Sequence, residues 1–162
     1  MKREMNAQEA FTRLAALCAR SEHCRHDMLE KMRQWTLDEA DQAKVMEQLV
    51  AGRYVDDERY ARAFAADKLR YAKWGRRKIE QALRLKHIGD DIAGDVLGEI
   101  SDDEYLEVLR PLVRQKLRST RAASDYELRM KVTRYALSRG FTMDLICRCL
   151  DTAGIDGDGY DD

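Results

Sequence analysis

The chain has 162 residues, 36% of them charged, and a formal net charge of −1 at pH 7. That length is enough to bury a core without help from a disulfide or a metal, and one proline among apolar residues at helical spacing predicts an all-helical protein. No apolar run is long enough to span a membrane and no apolar export segment follows Met1, so a membrane role is excluded and a cytoplasmic protein is expected.

The first predicted elements are helices near 7–20, 24–35 and 38–51, with a turn at Thr36. "TLDE" offers a capping box, in which Thr36 accepts from the backbone and Glu39 reaches back. Within "HCRHD", His23, Cys24, His26 and Asp27 invite a metal reading. No matching ligand set follows at a known spacing, and the stretch reads as a polar helix start. Cys147 and Cys149, with Cys18 and Cys24, also fall outside any CxxC pattern, and the last pair reads as small core or boundary residues.

"GRYVDDERYARAF" opens the next helix. Gly52 is placed to stop the preceding helix, Tyr54 and Val55 to dock the crossing, and Asp56 or Asp57 to cap the new one. Acids there complement the positive end of the helix dipole. Arg59 and Arg62 follow, and Tyr60, Phe64 and Tyr71 fall on one helical face, a predicted packing stripe. Further on, "SDDE" at Ser101–Glu104 and "SDYE" at Ser124–Glu127 repeat the capping device, and Gly140 and Gly154 sit where helices should end.

These elements recur. Met28, Met32 and Leu37 have the same spacing as Ile79, Leu83 and Ile88, and as Val132, Ala136 and Phe141. An apolar pair follows each triplet: Val45–Met46, Val96–Leu97 and Cys149–Leu150. The pattern predicts three tandem three-helix units, 1–52, 53–100 and 101–153, with an acidic, flexible tail at 154–162. Charge is segregated along them. From Lys68 to Lys86 there are eight basic residues and one acid; from Gly89 to Glu107, eight acids and no base; from Arg110 to Arg139, nine basic residues and two acids. A near-neutral total therefore covers basic faces suited to nucleic acid or an acidic partner.

"GRYVDDERYARAF" resembles the hallmark of the RecX regulators of bacterial RecA recombinase, and "WGRRKIEQALRLKHI" is similar to that family's second-unit pattern. "RSEHCRHDMLEKM" and "YALSRGFTMDLI" resemble its first-unit start and third-unit close. Departures lie at Trp35-Thr36 and His87, where the family has turn glycines, and at Cys24, where serine is common. The resemblance implies an elongated, curved array of three-helix repeats. It implies binding to the RecA filament on DNA, in the filament groove, and restraint of filament extension, strand exchange, ATP hydrolysis and coprotease activity. Through these it implies a part in homologous recombination, DNA repair and the SOS response.

The residues suggest where contacts lie. On the helix after Gly75, Ile79, Ala82 and Leu83 form the apolar side and Arg77, Gln81 and Arg84 the opposite one. Arg76, Arg77 and Lys78 crowd its first turn, where backbone N–H groups and cations would together receive a carboxylate of RecA or a DNA phosphate. The candidate contacts are Arg70, Lys73, Arg76, Arg77, Lys78, Arg84 and Lys86, with a second set of Arg129, Lys131, Arg134 and Arg139. Gly52, Tyr54, Asp56, Asp57, Arg59, Tyr60 and Phe64 form a structural signature. The alternative reading is a helical protein that binds single- or double-stranded DNA directly, without RecA. No phosphate loop, GxSxG, HExxH or triad is present, so neither enzyme activity nor a cofactor or metal is expected, and the protein is expected to act as a monomer.

Overall fold

The computed structural model describes residues 5–154. Of the expected acidic tail, all but Gly154 lies outside the described residues. The helices are α1 Ala7–Arg20, α2 Arg25–Gln34, α3 Glu39–Ala51, α4 Asp57–Asp67, α5 Arg76–Leu85, α6 Asp90–Gly98, α7 Asp102–Ser119, α8 Asp125–Ser138 and α9 Met143–Thr152. A π-helical turn, Lys68–Ala72, follows α4 directly. Among the described residues there is no strand, and no helix is long and apolar enough to cross a membrane.

All fifteen apolar positions that define the repeat are buried, from Met28 and Met32 to Cys149 and Leu150. The turn inside each repeat has one backbone solution. Thr36 (φ 56°), His87 (φ 55°) and Gly140 (φ 95°) take the left-handed conformation. The next residue's N–H then reaches back five positions: Leu37 to Met32 O (3.1 Å), Ile88 to Leu83 O (3.1 Å) and Phe141 to Ala136 O (3.2 Å). A second bond spans three positions in each turn, from Thr36 to Arg33 O, His87 to Arg84 O and Gly140 to Leu137 O. This is the Schellman ending, in which the residues joined by the longer bond also share an apolar contact. Here that pair is the last two members of each apolar triplet. The register of the sequence repeat is therefore the register of its helix endings.

Thr36 thus closes α2 and does not cap α3. Its hydroxyl donates to Trp35 O, and the α3 cap is Asp38, whose carboxylate accepts the Asp41 N–H at 2.7 Å. The expected "TLDE" box fails because the left-handed turn occupies Thr36. At Ser101 the expected box is complete, with Ser101 accepting from Glu104 N and Glu104 from Ser101 N. At Ser124 half of it forms; Glu127 reaches past the cap to the Ala123 N–H. Gly52 ends α3 with an ordinary φ of −80°, and Arg53 takes the left-handed position instead. A Cβ on Gly52 would lie 2.8 Å from the Tyr54 ring, so glycine there makes room for the aromatic.

Packing groups the chain into two compact units, residues up to 64 with 83–93, and residues 65–82 with 94 onward. The repeat boundaries expected above follow sequence register, a different criterion. In the first unit α1 and α2 pack on α3 around Leu14, Met28, Met32, Val45, Leu49 and Val55. In the second, α7, α8 and α9 pack against one another, and the π-helical turn lies on α7. Tyr105, Leu106, Leu109, Val132, Ala136, Phe141 and Ile146 are buried there. Tyr105 Oη has no protein partner, and burial, the largest influence, pushes its phenol up to about 12.

Candidate functional site

In the first unit the signature residues tie chain ends together. Asp56 caps α4 by accepting the Arg59 N–H at 3.0 Å. Asp57 accepts the N–H of Arg25, the first residue of α2, at 2.9 Å. That bond matters because Cys24, the N-cap of α2, makes no side-chain capping bond of its own. The Arg59 guanidinium reaches Glu22 Oε1 (2.6 Å), Arg53 O (3.0 Å) and Tyr54 O (3.3 Å), holding the left-handed turn between α3 and α4. Tyr54 meets Phe11 edge-on with ring centroids 5.6 Å apart, and buried Tyr60 stacks on Phe64 at 5.7 Å. The hallmark stretch is a structural clasp.

The histidines are engaged in the same way. His26 stacks on His87 at 4.1 Å and meets Glu30 at 3.1 Å; His23 lies between Ser21 and Asp27. Among the described residues no three His, Cys, Asp or Glu side chains gather as a metal set.

The basic candidates divide into two classes. Lys86 bonds Asp27 at 2.7 Å. Burial works to raise the Asp27 pKa, but the Lys86 ammonium together with hydrogen bonds from Cys24 outweighs it and holds the carboxyl below its ordinary value. Arg129 pairs with Asp151 at 2.9 Å with its side chain largely covered. Lys131 meets Glu127 at 3.0 Å and donates to Arg121 O at 2.8 Å. Arg84 faces Asp90 at 3.4 Å. Arg139 donates from Nη2 to Ala72 O, the last carbonyl of the π-helical turn, where a cation is favourable. These side chains are held by the fold.

The second class lies on one short stretch of the second unit. Arg70, Lys73, Arg76 and Arg77 are exposed. Between them the Trp74 ring carries Lys68 Nζ at 5.0 Å and Lys78 Nζ at 4.8 Å from its centroid, a cation–π arrangement on both lysines. The underside of this corner is fixed. Gly75 N–H donates to Arg139 O (2.8 Å) and Arg77 N–H to Gly140 O (3.0 Å). A Cβ on Gly75 would fall 2.4 Å from Phe141 N, and one on Gly140 2.4 Å from Lys78 Cβ. The Gly140 turn takes the Arg77 N–H, one of the backbone groups in the first turn of α5 where an anion was expected. What the corner offers is side-chain charge. Arg134, exposed on α8, borders a separate apolar groove with Tyr126, Met130, Met143 and Cys147.

Tyr71 is the residue that sequence reasoning misplaced. It is 72% exposed, not part of a packing stripe with Tyr60 and Phe64. The wider π-helical turn breaks the angular register of α4 before Tyr71 is reached. The signal available in the sequence was an aromatic pair, Tyr71 and Trp74, set in a basic run without an acid.

Family models for the second and third three-helix domains of RecX match residues 56–97 and 102–150. A protein of Acinetobacter baylyi named regulatory protein RecX is 30% identical over 83% of this chain and 82% of its own. One of the same name from Chromobacterium violaceum is 28% identical over 93% of each chain. The crystal structure of RecX from Lactobacillus salivarius superimposes with a TM-score of 0.83 at 18% identity, over 93% of this chain and 97% of that one, a likeness of fold.

Proposed function

The chain belongs to the RecX family of regulatory proteins, and from that membership we infer that it binds the RecA filament on DNA and restrains its extension. Recombinase, ATPase and coprotease activities of the filament fall in consequence, and with them DNA repair and the SOS response are modulated. The protein does this by binding, as a monomer, and not by catalysis. The observation that carries the reading is the exposed cation set Arg70, Lys73, Arg76 and Arg77, anchored from beneath on a chain of near-neutral total charge. Such a set, carried on a backbone fixed from beneath, meets an anionic surface by charge, which favours fast, salt-dependent association.

The test is ATP hydrolysis by RecA on excess single-stranded DNA with this protein titrated substoichiometrically. Inhibition at a small fraction of the RecA concentration is expected. Arg76→Glu with Arg77→Glu should weaken that inhibition at least tenfold. Arg129→Ala should lower thermal stability and leave the inhibition of the folded protein within about twofold. Full inhibition by the double glutamate variant would remove this corner from the interface.

A further inference from the structure

The second unit contains a cavity of about 170 Å³, far more room than a single water needs. Its buried lining is Tyr105, Phe141 and Leu145; its exposed lining includes Arg76, Asp102 and Asp144. The charges share this space without meeting. Among the described residues Arg76 forms no ion pair with either aspartate, and Asp102 comes only to 4.0 Å of Arg148 Nη1. Asp144 accepts the Thr142 hydroxyl at 2.6 Å.

Tyr105 decides what the cavity is for. Its side chain is 2% exposed and its Oη has no partner among the described residues. Burial weighs most on that phenol; Arg76 then draws it toward the phenolate, and Glu104 and Asp102 oppose this. Two of those three charges line the cavity, which puts the hydroxyl beside its contents. A buried hydroxyl without a partner is destabilising, and native proteins seldom keep one without a use. An anion would satisfy Arg76 and the phenol but would meet two carboxylates. A cation would satisfy the carboxylates but would meet Arg76. With Arg148 counted beside Asp102, the charges at the cavity cancel, so the ligand that meets every group carries both signs and no net charge.

We propose that this cavity binds a small zwitterion of the α-amino acid class. Arg76 and Tyr105 Oη take its carboxylate, Asp102 and Asp144 take its ammonium, and its side chain lies on Phe141 and Leu145. The site goes beyond the filament reading, because its ligand is bound whether or not RecA is present.

The experiment is isothermal titration calorimetry of the full chain at fixed ionic strength, without RecA or DNA. The probes are L-alanine and L-leucine, with propionate and ethylamine as halves that carry one charge each. At least one amino acid should bind, and each half should bind about tenfold more weakly or worse, since it leaves charged groups unmet. Arg76→Gln and Tyr105→Phe should each weaken amino acid binding about tenfold. Without ligand, Tyr105→Phe should keep the Tm of the parent or exceed it, because it deletes a hydroxyl that has no partner. Failure of both amino acids to bind overturns the proposal. So does binding of propionate or ethylamine as tight as that of the better amino acid, which would make this a simple ion site. Unchanged amino acid binding by Tyr105→Phe overturns it too. A lower Tm for unliganded Tyr105→Phe would do the same, by showing that the hydroxyl is already spent on an ordered water.

Discussion

Gly75→Ala should be among the most damaging single-methyl changes available in this protein. The added Cβ falls 2.4 Å from Phe141 N and 2.5 Å from Gly140 C and Phe141 Cα, all backbone atoms that no rotamer change can move. Separating the two segments strains a packed contact, at about 1–3 kcal/mol for overpacking. It also breaks the bonds from Gly75 N–H to Arg139 O and from Arg77 N–H to Gly140 O, at about 1 kcal/mol each. The sum is a loss of about 3–5 kcal/mol, or roughly 10 °C in Tm for a chain of this size. Gly94→Ala, inside α6, is the control, because its Cβ meets nothing within 4 Å. It should gain about 0.5–1 kcal/mol from helix propensity. Urea denaturation followed by circular dichroism at 222 nm measures both. A loss below about 1 kcal/mol for Gly75→Ala, or equal losses for the two variants, would refute the close-approach argument.

Three further outcomes are expected. Thr36→Gly should stabilise the protein by up to about 1 kcal/mol, since a β-branched residue is strained in the left-handed position and glycine is not; a loss of stability in the same denaturation would contradict the turn. Lys86→Met should cost about 1 kcal/mol at neutral pH, a figure discounted for the half-exposed ammonium. Because the Asp27 pKa is lowered in the folded state, the pair's contribution is present above its unfolded value of 3.8 and is lost as pH falls through the folded value. The gap between parent and variant should therefore close in acid, and a gap independent of pH would argue against the pair. Finally, Cys24 is buried and burial raises its thiol to about 11, so at pH 8 only about a thousandth is thiolate. Mass spectrometry after brief alkylation of the native protein should find Cys147, half-buried at the apolar groove, modified well before Cys24.

The repeat could be read from sequence because burial and turn geometry act on the same residues. Met32–Leu37, Leu83–Ile88 and Ala136–Phe141 are at once apolar pairs and the two ends of a backbone bond. Thr36 and His87 looked like departures where a turn glycine was expected, yet both adopt the glycine-like conformation and the turn survives them. The α3 cap was misread because Thr36 and Asp38 are both good caps, and only the left-handed turn decides between them. The candidate site was legible as a basic stretch but not as a division of labour. Nothing in one-dimensional spacing says that Lys86 finds Asp27, 59 residues away, or that Arg139 reaches Ala72, 67 residues away. Tyr71 was misplaced for a different reason: a π-helical turn changes the angle per residue without changing the composition.

The bond from Arg25 N–H to Asp57 has a consequence for how the first unit opens. An amide in the first turn of a helix ordinarily exchanges with solvent by fraying, at little free-energy cost. This one is held by a carboxylate 32 positions further along the chain, so exposing it requires the start of α4 to leave the start of α2. Deuterium uptake at Arg25 should therefore slow to the pace of that larger separation, and Asp57→Ala should return it to the pace of its neighbours. A single amide would then report whether two sequence-distant helix starts come apart together.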